Sequence, residues 1–434
     1  MRYHFIGIKG SGMASLATIL KDQGEDVQGS DIEKYIFTQQ PLEERHIPIL
    51  PFAKENVPQN AVVIIGNAFD EDHEEVKQAR SMSSVTCYRY HEYLGKLMEN
   101  YCSISVAGTH GKTTTTGMLA HVMSLTQPCG YLIGDGSGSM PKNAHYFVVE
   151  SCEYQRHFLA YHPDYAIITN MELDHVDYYH DMDDYRHAFQ TFANQVKKGV
   201  VLFGDDKEVR NLSVDIDHLY YGLNDNNDVQ AKNIVTDPKG MTFDVYKHDQ
   251  LFGSFRIPFV GKPFLWNSLG VIAVGIMEGM DVKTLQEALS TFQGVKRRFH
   301  EEVQGENVYI DDYAHHPTAI SLTIEAAKMK YPNRKVIAIF KPDRFSRIAY
   351  FLHEFAKALD QADDVFLCEF PNNAKKENGV EVTIQDLCDL SKKAKVIKED
   401  EEGAAILAKQ SPAVYLFMSS KDIYKLKNIV KSFQ

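Results

Sequence analysis

The stretch that speaks most directly of chemistry is Gly108-Thr109-His110-Gly111-Lys112-Thr113-Thr114. It follows an apolar run, Ser103 to Ala107, that reads as a strand, and it precedes Met118, Leu119, Val122 and Met123 at helical spacing. A glycine-rich turn between strand and helix presents backbone N–H groups and a positive helix end to an anion. Lys112 adds an ammonium for the β and γ phosphates, and the Thr113 hydroxyl is a magnesium ligand type. The longest phosphate-loop pattern would want a glycine at Val106, but the working parts are all present. The loop therefore predicts ATP. Downstream, Glu150-Ser151-Cys152-Glu153 closes a predicted strand from Tyr146, and Asp174-His175-Val176-Asp177 follows another, Tyr165 to Asn170. Strand carboxyl ends of a parallel sheet converge on the ligand crevice, so these acids and the imidazole are candidates to face phosphates and magnesium.

A second glycine cluster, Gly7 to Met13, sits between the predicted strand Tyr3 to Gly7 and a predicted helix, Ser11 to Gln23. It departs from the dinucleotide fingerprint at Ser15, where a third glycine would stand, while Asp31 lies near the usual distance of a ribose-binding acid. A dinucleotide and another nucleotide diphosphate both remain open from these residues. A third group is cationic: Lys296-Arg297-Arg298-Phe299, shortly before Asp311-Asp312-Tyr313-Ala314-His315-His316-Pro317. Fixed guanidinium charge suits a transferring phosphoryl group, and the tyrosine and histidines suit a polar substrate.

These groups need a scaffold, and the patterning supplies an α/β one. Short apolar strands alternate with helical stretches from the first residue, the signature of parallel βαβ units. Further strands are predicted at Asp26 to Gly29, Ala61 to Gly66, Val85 to Tyr88, Val308 to Asp311, Lys335 to Phe340, Asp364 to Cys368 and Val414 to Met418. Met241 to Tyr246 and Phe252 to Pro258 alternate like a hairpin. The 434 residues divide into three α/β domains, 1–100, 101–298 and 299–434, each on a mostly parallel sheet: Rossmann-like, P-loop and Rossmann-like in turn.

Composition narrows the partners. Lys plus Arg at 46 against Asp plus Glu at 59 gives a net charge of -13, which disfavours nucleic acid and anionic membranes and makes any phosphate site local. No apolar run approaches the ~20 residues of a membrane span, and Lys9 with the glycines around it breaks up any signal-peptide core, so a cytoplasmic location is expected. Six scattered cysteines without a CxxC or CxxH pair argue against disulfides and structural zinc.

Taken in order, Gly7 to Met13, Gly29-Ser30-Asp31, Gly66-Asn67-Ala68, Gly108 to Thr114, Glu153, Asp174-His175, Gly294 to Phe299 and Asp311 to Pro317 resemble the Mur ligase family of peptidoglycan synthesis over nearly the whole chain. The resemblance is nearest to the branch that joins L-alanine to UDP-N-acetylmuramate. It implies that Gly10, Ser11, Gly12, Met13, Ser30, Asp31 and Asn67 bind the UDP-sugar. It implies that Gly108, Thr109, His110, Gly111, Lys112, Thr113 and Thr114 bind ATP together with Asn267, Arg297 and Asp311. Thr113, Glu153 and His175 would hold Mg2+, and Lys112, Arg297 and His315 would form the catalytic set. Tyr313, His315, Asp343, Arg344 and Arg347 would receive the amino acid. The implied chemistry is an acyl phosphate formed on the muramate carboxylate and then displaced by an amine.

Three stretches depart from that branch: Pro263-Phe264 replaces a His-Asn pair, Lys341 to Arg347 carries Asp343 in place of a histidine, and Met418 to Asp422 lacks a Gly-Ala-Gly. Two fall in the third domain, which leaves a relative with another amino acid or a peptide as acceptor, and a non-catalytic nucleotide-sugar binder, as alternatives. An oxidoreductase rests on the first glycine cluster and Asp31 alone.

Overall fold

The computed structural model describes residues 1–371 and 380–433. The strands of the first sheet are β1 (Arg2–Ile6), β2 (Asp26–Ser30), β3 (Ile49–Leu50), β4 (Val62–Ile65) and β5 (Thr86–Arg89). Those of the second are β6 (Cys102–Ala107), β7 (Cys129–Leu132), β8 (Gly138–Ser139), β9 (Tyr146–Glu150), β10 (Tyr165–Ile168), β11 (Gly199–Phe203), β12 (Asp217–Gly222), β13 (Val229–Asp237), β14 (Gly240–Lys247) and β15 (Gln250–Ile257). The third holds β16 (His300–Gln304), β17 (Asn307–Asp312), β18 (Val336–Phe340), β19 (Asp364–Leu367), β20 (Ala394–Val396) and β21 (Val414–Met418).

Sheet order explains how distant residues meet. The first sheet is parallel in the order β3-β2-β1-β4-β5. In the second, β6 lies between β10 and β9, all three parallel, and the hairpin predicted over β14 and β15 gains β13 as an antiparallel neighbour. In the third, β21 lies between β17 and β18, again all parallel, with β16 antiparallel at the edge. The central strands, such as VIAIF in β18 and VYLFM in β21, are buried along their whole length, as strands covered by helices on both faces must be. The helix Ser11–Asp22 is buried at every residue from Met13 to Leu20, including the predicted Met13, Leu16, Ala17 and Leu20, and stops before Gly24, whose φ of +92° a side chain would resist. Among the described residues no helix is long and apolar enough to cross a membrane, and all six cysteines are free thiols.

The two joints between sheets differ in kind. Leu94, Leu97 and Met98, on the last helix of the first unit, share one apolar core with Phe147, Phe158 and Phe189 of the second. The second and third units meet through charge, Arg347 with Asp174, Arg344 with Asp177, and Thr318 with Glu172, and through a smaller apolar contact in which Phe299 packs against Phe264.

Gly95 lies inside the helix Tyr90–Met98, where alanine would ordinarily gain about 1 kcal/mol of helix propensity. A Cβ there would stand 2.2 Å from the Ala160 carbonyl oxygen, a backbone atom of the second unit. The clash outweighs the propensity, so Gly95→Ala should destabilise by roughly 1–3 kcal/mol. A thermal unfolding midpoint equal to or above the parent's would contradict this account of the first joint.

Candidate active site at the meeting of three domains

Because β9 and β10 flank β6, three loops leave the sheet side by side: Gly108–Thr114 after β6, Ser151–Glu153 after β9 and Thr169–His175 after β10. The glycines of the first are obligatory. Gly108 has φ +133° and a Cβ would sit 2.0 Å from Thr169 Oγ1; Gly111 has φ +82°, and a Cβ would sit 2.8 Å from Asn267 Oδ1. The loop is tied to the end of β10, for Thr109 N–H donates to the Asn170 carbonyl at 3.0 Å and His110 N–H to Asn170 Oδ1 at 2.8 Å. Lys112 opens the helix Lys112–Ser124 and curls back over the loop, donating to the carbonyls of Gly108 and Thr109 and pairing with Glu153 at 2.8 Å.

Burial works against charge on Glu153, but Lys112 and His175 outweigh it and hold the carboxyl at about 2. His175 Nε2 lies 3.5 Å from Glu153 Oε1, and its Nδ1 is buried without a hydrogen bond. The backbone of His175 is left-handed, φ +51°, and its N–H donates to Asp174 Oδ1 at 2.7 Å. A buried ionised carboxylate next to an imidazole whose other nitrogen has no hydrogen bond is a donor set that fits a divalent cation next to phosphate. Thr113 is near, with its hydroxyl donating to Glu150 at 3.0 Å and accepting from Arg298 at 2.9 Å. Burial raises the pKa of Glu150 against the pull of Arg298 and Lys112.

The end of the second domain and the start of the third each contribute differently from the sequence expectation. Arg298, not Arg297, reaches the phosphate loop; Arg297 donates to the carbonyls of Ser419 and Lys421 and lies over the rings of Tyr313 and Tyr424. Arg297 still borders a small cavity of ≈ 160 Å³ shared with Ser11, Thr113 and Arg298. Likewise Asp311 turns to the opposite face of β17 and pairs with Lys427, whereas Asp312 lines the loop's cavity and accepts from the N–H groups of Phe299 and Ala314. The period of two along a strand sends neighbouring residues to opposite faces, so a shift of one decides which aspartate enters the site.

That cavity, ≈ 270 Å³, is lined by the phosphate loop, Glu153 and His175, with Asn267 close to Gly111, and by Pro263, Phe264 and Phe299, which offer an apolar face for a planar base. Tyr313 and His315 lie on its third-domain side. Burial and the nearby Arg347 push His315 down to about 4, so its imidazole is neutral at pH 7. His315 Nδ1 lies 2.8 Å from the Tyr313 carbonyl, an acceptor, which assigns the proton to Nδ1 and leaves Nε2 with a lone pair.

A larger cavity of ≈ 940 Å³ adjoins the first, with Glu150 and Cys152 common to both walls. Gly12 and Asn67 bring in the first domain, Tyr154 and His157 the second, and Asp343 and Arg344 the third. Gly10 starts the helix that carries Ser11 and Gly12 towards it. Of the other predicted UDP-sugar residues, Met13 is buried in the apolar core and Ser30 faces inward towards His4 and Asn56, so neither lines the cavity. Asp31 accepts from the N–H groups of Lys9 and Ile32, both at 2.7 Å, and so clamps the glycine loop.

The expected acceptor residues are also rearranged. Arg347 is 3% exposed and held between two carboxylates, Asp174 at 2.8 Å and Asp343 at 2.8 and 2.9 Å. Asp343 further accepts from Ser420 Oγ at 2.8 Å. Arg347 therefore has no free fork for a substrate carboxylate, and Asp343 is committed to Arg347. Arg344 borders the large cavity while pairing with Asp177. Tyr90, Tyr154 and His157 were not singled out by sequence; lone aromatic residues in loops and helix starts carry no spacing signal.

Three family models match the chain: the Mur ligase family catalytic domain over residues 2–102, the Mur ligase middle domain over 106–275 and the Mur ligase glutamate ligase domain over 297–420. Among solved structures, the UDP-N-acetylmuramate-alanine ligase MurC of Thermotoga maritima is 28% identical, matches 100% of this chain and 99% of its own, and superposes with a TM-score of 0.83. The UDP-N-acetylmuramate:L-alanyl-gamma-D-glutamyl-meso-diaminopimelate ligase of Neisseria meningitides is 27% identical over 68% of this chain and 99% of its own, with a TM-score of 0.61. The MurF ligase of Thermotoga maritima in complex with ADP is 18% identical over 88% and 96%, with a TM-score of 0.66, a likeness of fold.

The Asp343–Arg347 pair carries a pH signature. Burial raises Asp343, but Arg347 and His315 outweigh it and bring the carboxyl to about 2, below its ordinary 3.8. The stability it lends is complete above 3.8 and disappears as pH falls through about 2; its size is on the order of 2 kcal/mol. Asp343→Asn should lower the thermal unfolding midpoint at pH 7 and lose less stability than the parent between pH 4 and 2. Equal acid sensitivity in the two proteins would show that this carboxylate does not hold the joint.

Proposed function

The chain belongs to the Mur ligase family and is an ATP- and Mg2+-dependent, ADP-forming amide ligase, and we propose that it joins L-alanine to the lactyl carboxylate of UDP-N-acetylmuramate. The observation that carries the reading is the pair of adjoining cavities, one built on the phosphate loop and the other walled by all three domains, with Glu150 and Cys152 between them. Such a shape brings a carboxylate held in the large cavity to a γ-phosphate held in the smaller one. The choice of alanine is supported by the end-to-end likeness to a UDP-N-acetylmuramate-alanine ligase. A peptide acceptor is the second reading, supported by the 27% identity to the tripeptide ligase and by the large cavity of ≈ 940 Å³.

On this reading residues 1–100 hold the UDP-sugar through the helix start at Gly10 to Gly12 and through Asn67, residues 101–298 hold ATP, and residues 299–434 hold the amino acid. The muramate carboxylate attacks the γ-phosphorus, ADP leaves, and an acyl phosphate forms. The amine then adds to the acyl carbon, and the tetrahedral intermediate collapses to the amide with loss of phosphate. Lys112 and Arg298 supply fixed positive charge on two sides of Thr113, where the transferring phosphoryl group gathers negative charge. Thr113, Glu153 and His175 would hold Mg2+, which when bound neutralises phosphate charge. The Nε2 lone pair of His315 accepts a hydrogen bond from the incoming amine. The substrates are soluble small molecules, met in the cytoplasm.

Release of phosphate from ATP in the presence of UDP-N-acetylmuramate and a panel of amino acids and peptides tests the reading, and L-alanine should be the acceptor that gives amide product. Lys112→Ala should reduce turnover by a hundredfold or more, roughly 3 kcal/mol of transition-state stabilisation. Product from a peptide but not from alanine would move the enzyme to the second reading.

The two arginines make a sharper comparison. Arg298→Ala should cost on the order of a hundredfold in kcat, as loss of a preorganised donor at the phosphate does. Arg297→Ala, which removes contacts to the Ser419 and Lys421 carbonyls, should act less on kcat and lower the stability of the third domain. Equal kcat losses would place both guanidiniums on the phosphate.

A further inference from the structure

His110, Glu172 and His316 lie in three separate stretches of the chain, and their ligand atoms come within 4.8 Å of one another. His110 Nε2 is 2.8 Å from Glu172 Oε2, His316 Nδ1 is 3.6 Å from the same oxygen, and the two imidazole centroids are 4.9 Å apart. His316 is 1% exposed, yet neither of its nitrogens makes a hydrogen bond. A buried imidazole with both nitrogens unsatisfied is costly, on the order of 1–3 kcal/mol per polar group, unless something occupies the space it faces. The second oxygen of Glu172 is already oriented, since Thr318 Oγ1 donates to it at 2.7 Å. That is the outer-shell support a ligating carboxylate ordinarily has.

We propose that these three residues form a site for a borderline divalent transition-metal cation of the Zn2+ or Co2+ class, separate from the magnesium residues Glu153 and His175. Two imidazole nitrogens and one carboxylate suit such ions, whereas Mg2+ tolerates a single nitrogen, such as that of His175, only where phosphate oxygens complete its shell. Tetrahedral bonds of about 2.0–2.1 Å set ligand atoms roughly 3.4 Å apart, so the widest pair, within 4.8 Å now, has to close by about 1.4 Å or less. Glu172 is 40% exposed, which gives the ion an entry path and leaves its fourth position to water. The site spans the charged joint, with His110 from the phosphate loop, Glu172 from the stretch after β10 and His316 from the start of the helix Pro317–Lys330. A bound cation would tie the phosphate loop to the third domain.

Titrating the full chain with Co2+, without nucleotide but with saturating Mg2+, gives a direct readout in the visible absorption of four-coordinate Co2+. The expected result is one equivalent per chain, lost in His316→Gln and Glu172→Gln and kept in His175→Ala. Thr318→Ala, which leaves all three ligands in place, should weaken Co2+ binding by about ten- to a hundredfold. Circular dichroism of each variant checks its fold; were the Gln variants to misfold, the Thr318→Ala affinity decides. Absorption absent from the parent, surviving His316→Gln and Glu172→Gln in folded protein, disappearing in His175→Ala, or unchanged in affinity in Thr318→Ala would overturn the proposal.

Discussion

A guanidinium almost sealed from solvent holds the site together. Arg347, 3% exposed, sits between Asp174 of the second domain and Asp343 of the third. A charge so buried is tolerable only while both carboxylates face it, and removal of either partner from such an arrangement typically costs 3–5 kcal/mol. The requirement fixes how the third domain seats. It reaches into the chemistry as well, because the Asp174 oxygen that takes the Arg347 hydrogen bond also takes the N–H of His175 and supports its left-handed backbone. The interdomain contact and the orientation of a candidate metal residue are thus one hydrogen-bond system.

Charge is handled at the site by pairing rather than by accumulation. The chain carries a net charge of -13, yet Lys112 and Arg298 line the phosphate-loop cavity and Arg347 is buried beside Asp343, which lines the large one. Each has an anionic or polar counterpart close by: Glu153 for Lys112, Thr113 with Glu150 for Arg298, Asp174 and Asp343 for Arg347. Lys112 and Arg298 meet these partners beside the phosphate loop, so phosphate oxygens would enter a field already aligned, with little reorganisation required. Arg347 meets its partners away from the loop and serves geometry instead.

The sequence was informative where local chemistry and backbone conformation coincide. The loop Gly108 to Thr114 could be read because Gly108 and Gly111 occupy conformations that require glycine, and because a strand and a helix bracket it. The buried parallel strands could be read from their apolar runs. What remained out of reach was decided by faces and by folding over distance. Asp311 and Asp312 are neighbours of the same type, and only strand register tells which points to the cavity. Arg297 and Arg298 pose the same problem in a turn where Arg297 has φ +59°. Ser30 and Met13 carry the right position for a nucleotide loop but face inward, and Asp343 looked available because Arg347, its partner, was itself assigned to substrate.

The contrast between the joints bears on how such a site could work. Opening the first would expose Leu94, Leu97, Phe147 and Phe158, which share a continuous core, at roughly 1.5–3 kcal/mol for each large apolar side chain. Opening the second would expose the Phe264–Phe299 contact but mainly arginines, aspartates and histidines, groups that water solvates well and whose paired state is nearly balanced against hydration. Per residue exposed, the apolar joint is therefore the costlier of the two to open. Across the second joint the third domain sets Tyr313 and His315 against the phosphate-loop cavity and Asp343 against the large one. On the proposed chemistry the acyl donor and the nucleotide have to stay aligned while the amine arrives, and an apolar joint beside a charged one would suit that order of events.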